Sequence, residues 1–158
     1  MKKYFLPKPV PIRLTQAGMD ETKAEHAKLA KTREEILVRL QTAREMGDLS
    51  ENGAYKYAKM ELRDTDRRMR HLLKLMTYGV VVKSAGTGII DFGSWVTIET
   101  NGKTFKYQLV SGYESDPALK KLSVYSPIGK AILRKKAGEK VEVEVPAGTV
   151  TYLIVKVE

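Results

Sequence analysis

Apolar residues recur along this chain with two different periods. In residues 53–76, Tyr55, Ala58, Leu62, Thr65, Met69, Leu72 and Met76 fall at alternating steps of three and four. That spacing lays one stripe along one side of a helix and predicts a coiled-coil seam. Residues 15–45 contain no proline and are dominated by Ala, Lys, Glu, Leu and Arg, all good helix formers. Met19, Leu29, Ile36, Leu40 and Ala43 fit a seven-residue repeat there, with Thr22, His26 and Arg33 in the intervening slots. This first seam is therefore weaker in its first half. Thr15 is the expected N-cap. Two helices joined by a short loop pack as an antiparallel hairpin, here a rod about 45 Å long.

Near Tyr78-Gly79 the period changes to two. Residues 80–82, 95–99, 104–110, 141–145 and 150–157 read as strands. Asn101-Gly102 predicts a tight hairpin turn between two of them, and Pro146-Ala147-Gly148 marks another turn. Residues 126–133 read as one short helix, capped by Ser126 with Pro127 at the first helical position. The fold class expected is α+β. A helical hairpin over residues 1–78 is followed over 79–158 by an antiparallel sheet domain with a short helix. Trp95 is expected in the core of that domain, and His71 on the surface of the hairpin.

Composition narrows the function classes. The 158 residues include no cysteine, which excludes disulfides and thiolate metal sites and suits a reducing, cytoplasmic setting. No apolar run approaches the length of about 18 residues that a membrane span needs. The basic N-terminus lacks the apolar stretch of a signal peptide. Net charge is +9. Residues 1–78 hold 17 Lys and Arg against 11 Asp and Glu, and residues 79–158 hold 11 against 8. A surplus concentrated on the hairpin favours polyanionic partners, nucleic acid among them.

Two features of the hairpin carry chemistry. Arg44-Glu45-Met46-Gly47-Asp48-Leu49-Ser50-Glu51-Asn52 lies between the helices and places two carboxylates at the far end of the rod. One reading is a capping box, Asp48 capping the second helix and Glu51 reaching back to the cap amide. The other is a pair of hard oxygen ligands for Mg²⁺. Two ligands are too few for a self-contained site, so the metal would be shared with another molecule. The second feature is Lys56, Lys59, Arg63, Arg67, Arg70 and Lys74, a stripe on a face distinct from the seam. It is either a solvated face relieved by Glu61, Asp64 and Asp66 or a track for phosphates. Arg44 could extend it. Tyr55 and Tyr57 are candidates to stack on a base, although Tyr55 lies on the seam. His26 and His71 form no metal-ligand pattern.

The ten residues from Ala43 to Asn52 resemble the loop signature of the bacterial transcript cleavage factors, the Gre factors. Residues 15–18, Phe92-Gly93-Ser94, Glu114-Ser115-Asp116, residues 123–127 and Pro146-Ala147-Gly148 extend the similarity to nearly the whole chain. Residues 55–59 and 66–70 are more similar to the GreB branch, whose basic patch is larger. Ala54, where many members carry an acid, Gly53, and Glu34 near the place of a common proline depart from the pattern. The resemblance implies an antiparallel coiled coil and an FKBP-like domain. It implies that the factor works as a monomer on bacterial RNA polymerase and on the nascent RNA 3′ end, with no membrane partner. On this resemblance Asp48 and Glu51 are the catalytic acids, holding Mg²⁺ jointly with the polymerase, and Arg44, Ser50 and Asn52 support the tip. Lys56, Lys59, Arg63, Arg67 and Arg70 would contact RNA, and Ser126 and Pro127 would dock on the polymerase. The protein would stimulate hydrolysis by the polymerase and have no nuclease activity alone. Two other functions would fit the same fold, a channel-blocking inhibitor of the polymerase and a standalone FKBP-like isomerase. The isomerase would need a pocket built from Phe92, Trp95, Phe105, Tyr107, Tyr113, Tyr125 and Tyr152.

Overall fold

The computed structural model describes residues 10–46, 52–84, 86–146 and 148–158. The chain divides into two compact units, one made mainly by Met19–Gly79 and the other by Ile12–Gly18 with Val80–Glu158.

Helix α1 runs Gln16–Glu45 and helix α2 runs Gly53–Tyr78. Both seams are where the spacing puts them. Met19, Thr22, Ile36 and Ala43 are buried on α1, and Ala58, Thr65 and Leu72 on α2. The intervening positions, His26, Leu29, Arg33, Leu40, Tyr55, Leu62, Met69 and Met76, are half-buried. Leu75, off the predicted seam, is also buried. Ion pairs join the helices. Arg68 meets Glu25 through two bonds of 2.7 Å, Arg33 Nε lies 2.7 Å from Asp66 Oδ1, and Arg39 Nη2 lies 2.8 Å from Glu61 Oε2. Partners on α2 descend as those on α1 ascend, so the pair is antiparallel. Arg33, a charge in a seam slot, is accommodated because Asp66 reaches it from the opposite helix. His71, expected on the surface, is half-buried.

The second unit is built on two sheets. Strand β1 (Ile12–Leu14) pairs with β2 (Gly79–Val81), and Val82 N donates to Leu14 O at 2.9 Å. The larger sheet has the order β5-β4-β3-β7-β6, made by β3 (Trp95–Thr100), β4 (Lys103–Val110), β5 (Lys121–Ser123), β6 (Lys140–Val145) and β7 (Gly148–Val157). Asn101 and Gly102 have φ of 50° and 71°, as a primed hairpin turn requires, and Thr100 pairs with Lys103 across them. Ile90, Val96, Ile98, Leu109, Ile132, Val141 and Ile154 form the core.

Two expectations about this unit need correction, and two of its strands were not foreseen. The sheet is mixed, because β5 runs parallel to β4. Residues 111–120 carry the chain back along β4 by turns, which frees the next strand from hairpin geometry. Strands β1 and β5 have only three residues each, too few to show a period. Trp95 is not in the core. Val96 and Ile98 take the inner face of β3, so alternation turns Trp95 outward, 36% exposed. Lys106 Nζ lies 5.5 Å from its ring centroid. Lys106 and Lys156 bond the nearby Glu158 and draw its carboxyl down to about 2.

Two glycines are fixed by close approach. At the start of α1, Thr15 Oγ1 accepts from Gly18 N at 3.0 Å and donates to Glu114 Oε1 at 2.5 Å. Thr15 N donates to the same carboxylate at 3.1 Å, and Ser111 Oγ does so at 3.2 Å. The carboxylate thus sits against a helix N-terminus, which suits its charge. A Cβ on Gly18 would lie 1.6 Å from Glu114 Oε1. Helix α3 (Pro127–Ile132) packs on the core through Ile132. A Cβ on Gly129 would lie 2.1 Å from the backbone oxygen of Ser123.

Two outcomes are expected. Gly129→Ala must displace backbone and should cost about 1–3 kcal/mol, read as a lower urea midpoint at unchanged slope. The hydrogen bonds from Arg68 hold the Glu25 carboxyl below its ordinary value. Its folded-state pKa is thus lower than its unfolded one, so the stabilisation is present above the ordinary carboxylate range and fades as pH falls through the folded value. Arg68→Ala should cost no more than about 1 kcal/mol at neutral pH, since the pair is largely exposed. That cost should shrink in urea titrations taken below about pH 4.

Candidate functional site at the hairpin end and its basic face

Among the described residues, Asn52 ties the two sides of the hairpin end together. Asn52 precedes α2 with φ −73° and ψ 95°, the extended geometry of an N-cap. Its Oδ1 accepts from Tyr55 N at 3.0 Å, and its Nδ2 donates to the Ala43 carbonyl of α1 at 2.7 Å. One amide therefore satisfies an orphan donor at the start of α2 and an acceptor near the end of α1. Asp48, Ser50 and Glu51 lie outside the described residues. The cap position itself belongs to Asn52, so the capping-box role expected of Asp48 is filled by a different residue. Arg44 is exposed in the last turn of α1, where a cation suits the helix dipole.

The basic stripe is on the outside of the hairpin. Lys56, Lys59, Arg63, Arg67, Arg70 and Lys74 are all exposed. Of the three acids expected to relieve them, Glu61 and Asp66 are paired with Arg39 and Arg33 of α1. Only Asp64 turns to the stripe, 4.0 Å from Arg63 and 3.4 Å from Arg67. Among the described residues, Lys56, Lys59, Arg70 and Lys74 make no ion pair. Four of these cations, Lys56, Lys59, Arg63 and Arg70, line an open groove with Met60, Leu62 and Asp66. A face of this kind holds a polyanion through its phosphates without reading bases.

The comparisons with known proteins fit this geometry. Residues 12–81 match the model of the transcription elongation factor N-terminal domain, and residues 85–158 match that of the GreA/GreB C-terminal domain. The chain is 36% identical over 150 residues to the transcription elongation factor GreA of Thermosipho africanus, covering 93% of this chain and 96% of that protein. The chain belongs to the GreA/GreB family of transcription elongation factors. Over 150 residues this member is also 39% identical to GreA of Neorickettsia sennetsu, covering 92% of this chain and 94% of that protein. A solved structure of GreA factor homolog 1 from Thermus thermophilus aligns over 94% of this chain and 99% of its own, at 24% identity and a TM-score of 0.45.

In this GreA/GreB member the remaining candidates have definite local roles. Ser126 caps α3, its Oγ accepting from Gly129 N at 3.0 Å and donating to Ser123 O at 2.7 Å. Pro127 follows it, exposed. Phe92 is buried, Phe105 stacks on Tyr107, and Tyr113 and Tyr125 are exposed. Among the described residues no cluster of three or more His, Asp or Glu could hold a metal ion, and no helix is long and apolar enough to cross a membrane. The sequence reading passed over Val38, Met46 and Met60, apolar residues exposed on the hairpin. Their signal was available, since none of the three occupies a seam position.

Asn52→Ala should lower stability by about 1 kcal/mol through loss of the cap. Asn52→Asp keeps the acceptor for Tyr55 N and loses only the bond to Ala43 O. Its thermal midpoint by circular dichroism should lie between the wild type and the alanine variant.

Proposed function

We propose that this chain stimulates RNA cleavage by backtracked bacterial RNA polymerase, its hairpin entering the secondary channel so that Asp48 and Glu51 meet the active site. The observation that carries the reading is the division of charge on α2. Glu61 and Asp66 face α1, and unpaired cations are left on an outer face that starts one turn past Asn52.

Asp48 and Glu51 both lie in the link between two chain ends that Asn52 holds together. Their carboxylates are hard oxygen ligands of the type Mg²⁺ takes, and two of them complete a site only when a partner supplies the rest. When bound, a shared Mg²⁺ would polarise the scissile phosphate and favour a deprotonated water. The chain's own part is to supply oxygen ligands, to orient them through the tip residues Arg44, Ser50 and Asn52, and to hold RNA along Lys56, Lys59, Arg63, Arg67 and Arg70. Ser126 and Pro127 are assigned to docking on the polymerase. By itself the chain lacks a complete ligand set and should hydrolyse no RNA.

The test is a stalled, backtracked elongation complex with 5′-labelled RNA and Mg²⁺. Wild type should shorten the RNA. An Asp48→Asn/Glu51→Gln variant should leave cleavage at the level of polymerase alone. Released fragments longer than a dinucleotide would mark GreB-like behaviour. Reduced synthesis without shortening would mean the hairpin acts as a plug, and the cleavage assignment would fall.

A further inference from the structure

Tyr55 and Tyr57 stand two residues apart at the start of α2, and the structure separates them. Tyr55 is half-buried on the seam. Tyr57 is 60% exposed and, among the described residues, makes no hydrogen bond or ring contact. With Val38, Thr42, Met46 and Ala54 it lines a shallow, mostly apolar groove beside the tip. Met46 is 77% exposed and Val38 66%. Residues on a helix turn by about 100° each, so Tyr57 sits a quarter-turn from Lys56, with Met60 between them. The unpaired cation Lys56 therefore borders the aromatic ring on one side, while Lys59, two residues after Tyr57, lies round the far side of the helix.

A phosphate held at Lys56 leaves its base within reach of the neighbouring flank, where Met60 and Tyr57 stand. The ring and the methionine on that flank offer a flat, sequence-tolerant face. We infer that Tyr57 is a stacking platform for a base of the single-stranded RNA extruded from the polymerase, with Met60 beside it and Lys56 holding the adjoining phosphate. This inference rests on the proposed function and adds a positioning residue to it. The adjacent positive charge favours RNA over an apolar protein segment as the occupant. Stacking accepts all four bases, so the contact should position the strand without selecting its sequence.

The experiment measures equilibrium binding of labelled factor to two elongation complexes, one backtracked with extruded RNA and one with its RNA 3′ end in the active site. Tyr57→Ala should weaken binding to the backtracked complex at least about 5-fold and leave binding to the other unchanged. Tyr57→Phe, which keeps the ring, should match wild type on both. Equal weakening on both complexes would show that Tyr57 meets polymerase instead of RNA, and no weakening on either would show no contact. Either result overturns the inference. Because binding is read separately from cleavage, an RNA-dependent effect of Tyr57→Ala in a factor that cleaves nothing would uphold the platform and reject the cleavage assignment.

Discussion

Two helices packed as an antiparallel pair have one face each to bury against the other, and the rest of the hairpin follows from that constraint. The buried apolar residues lie mainly along a single seam on each helix, with Leu75 beside it on α2. A pair so thin cannot absorb a charge in that seam unless the other helix answers it, as Asp66 answers Arg33. Glu25 and Glu61 are drawn to the same inner border by Arg68 and Arg39. Each pair is worth little to stability where it is exposed. Their larger effect is on the distribution of charge. Acids gather along the line where the helices meet, and the excess of cations is left on the outside of α2. The positive face is thus partly a by-product of how a weak seam is reinforced.

The same economy of contacts applies at the tip. A link between antiparallel helices leaves carbonyls at the end of one helix and amides at the start of the next without partners. Asn52 answers one of each. An amide can do this because it carries a donor and an acceptor on one planar group, which a carboxylate at that position could not. The chain ends that flank the link are consequently tied together by Asn52. Functional groups are positioned most reliably when rigid elements support them from just outside the site.

The parts of the fold that were legible in the sequence are those whose cause is local. The complete 3-4 spacing of α2, the Asn101-Gly102 turn and the Ser126-Pro127 start of α3 each contain their own reason, and each element lies where that reason puts it. What was not legible depends on distant partners. Strands β1 and β5 are too short to show a period, and pairing across the chain makes them strands. The outward side of Trp95 was decided by Val96 and Ile98, because only one alternation can face the core. Asp48 is a good cap residue by type, yet Asn52 holds the cap, because its amide also reaches the carbonyl of Ala43. For the basic stripe the cations were visible in the sequence. The destination of the neighbouring acids was not, because their partners lie on the other helix.

The junction of Thr15, Gly18 and Glu114 has a consequence for how this chain can change over time. The carboxylate of Glu114 stands in the volume that any side chain at position 18 would need. Neither residue is therefore free to vary by itself. A shorter side chain at 114 vacates the space but strips Thr15 of its bonds, and a larger residue at 18 evicts the carboxylate. Positions almost a hundred residues apart in sequence are inherited in effect as one character, and the tolerance of either to mutation is set by the allele present at the other.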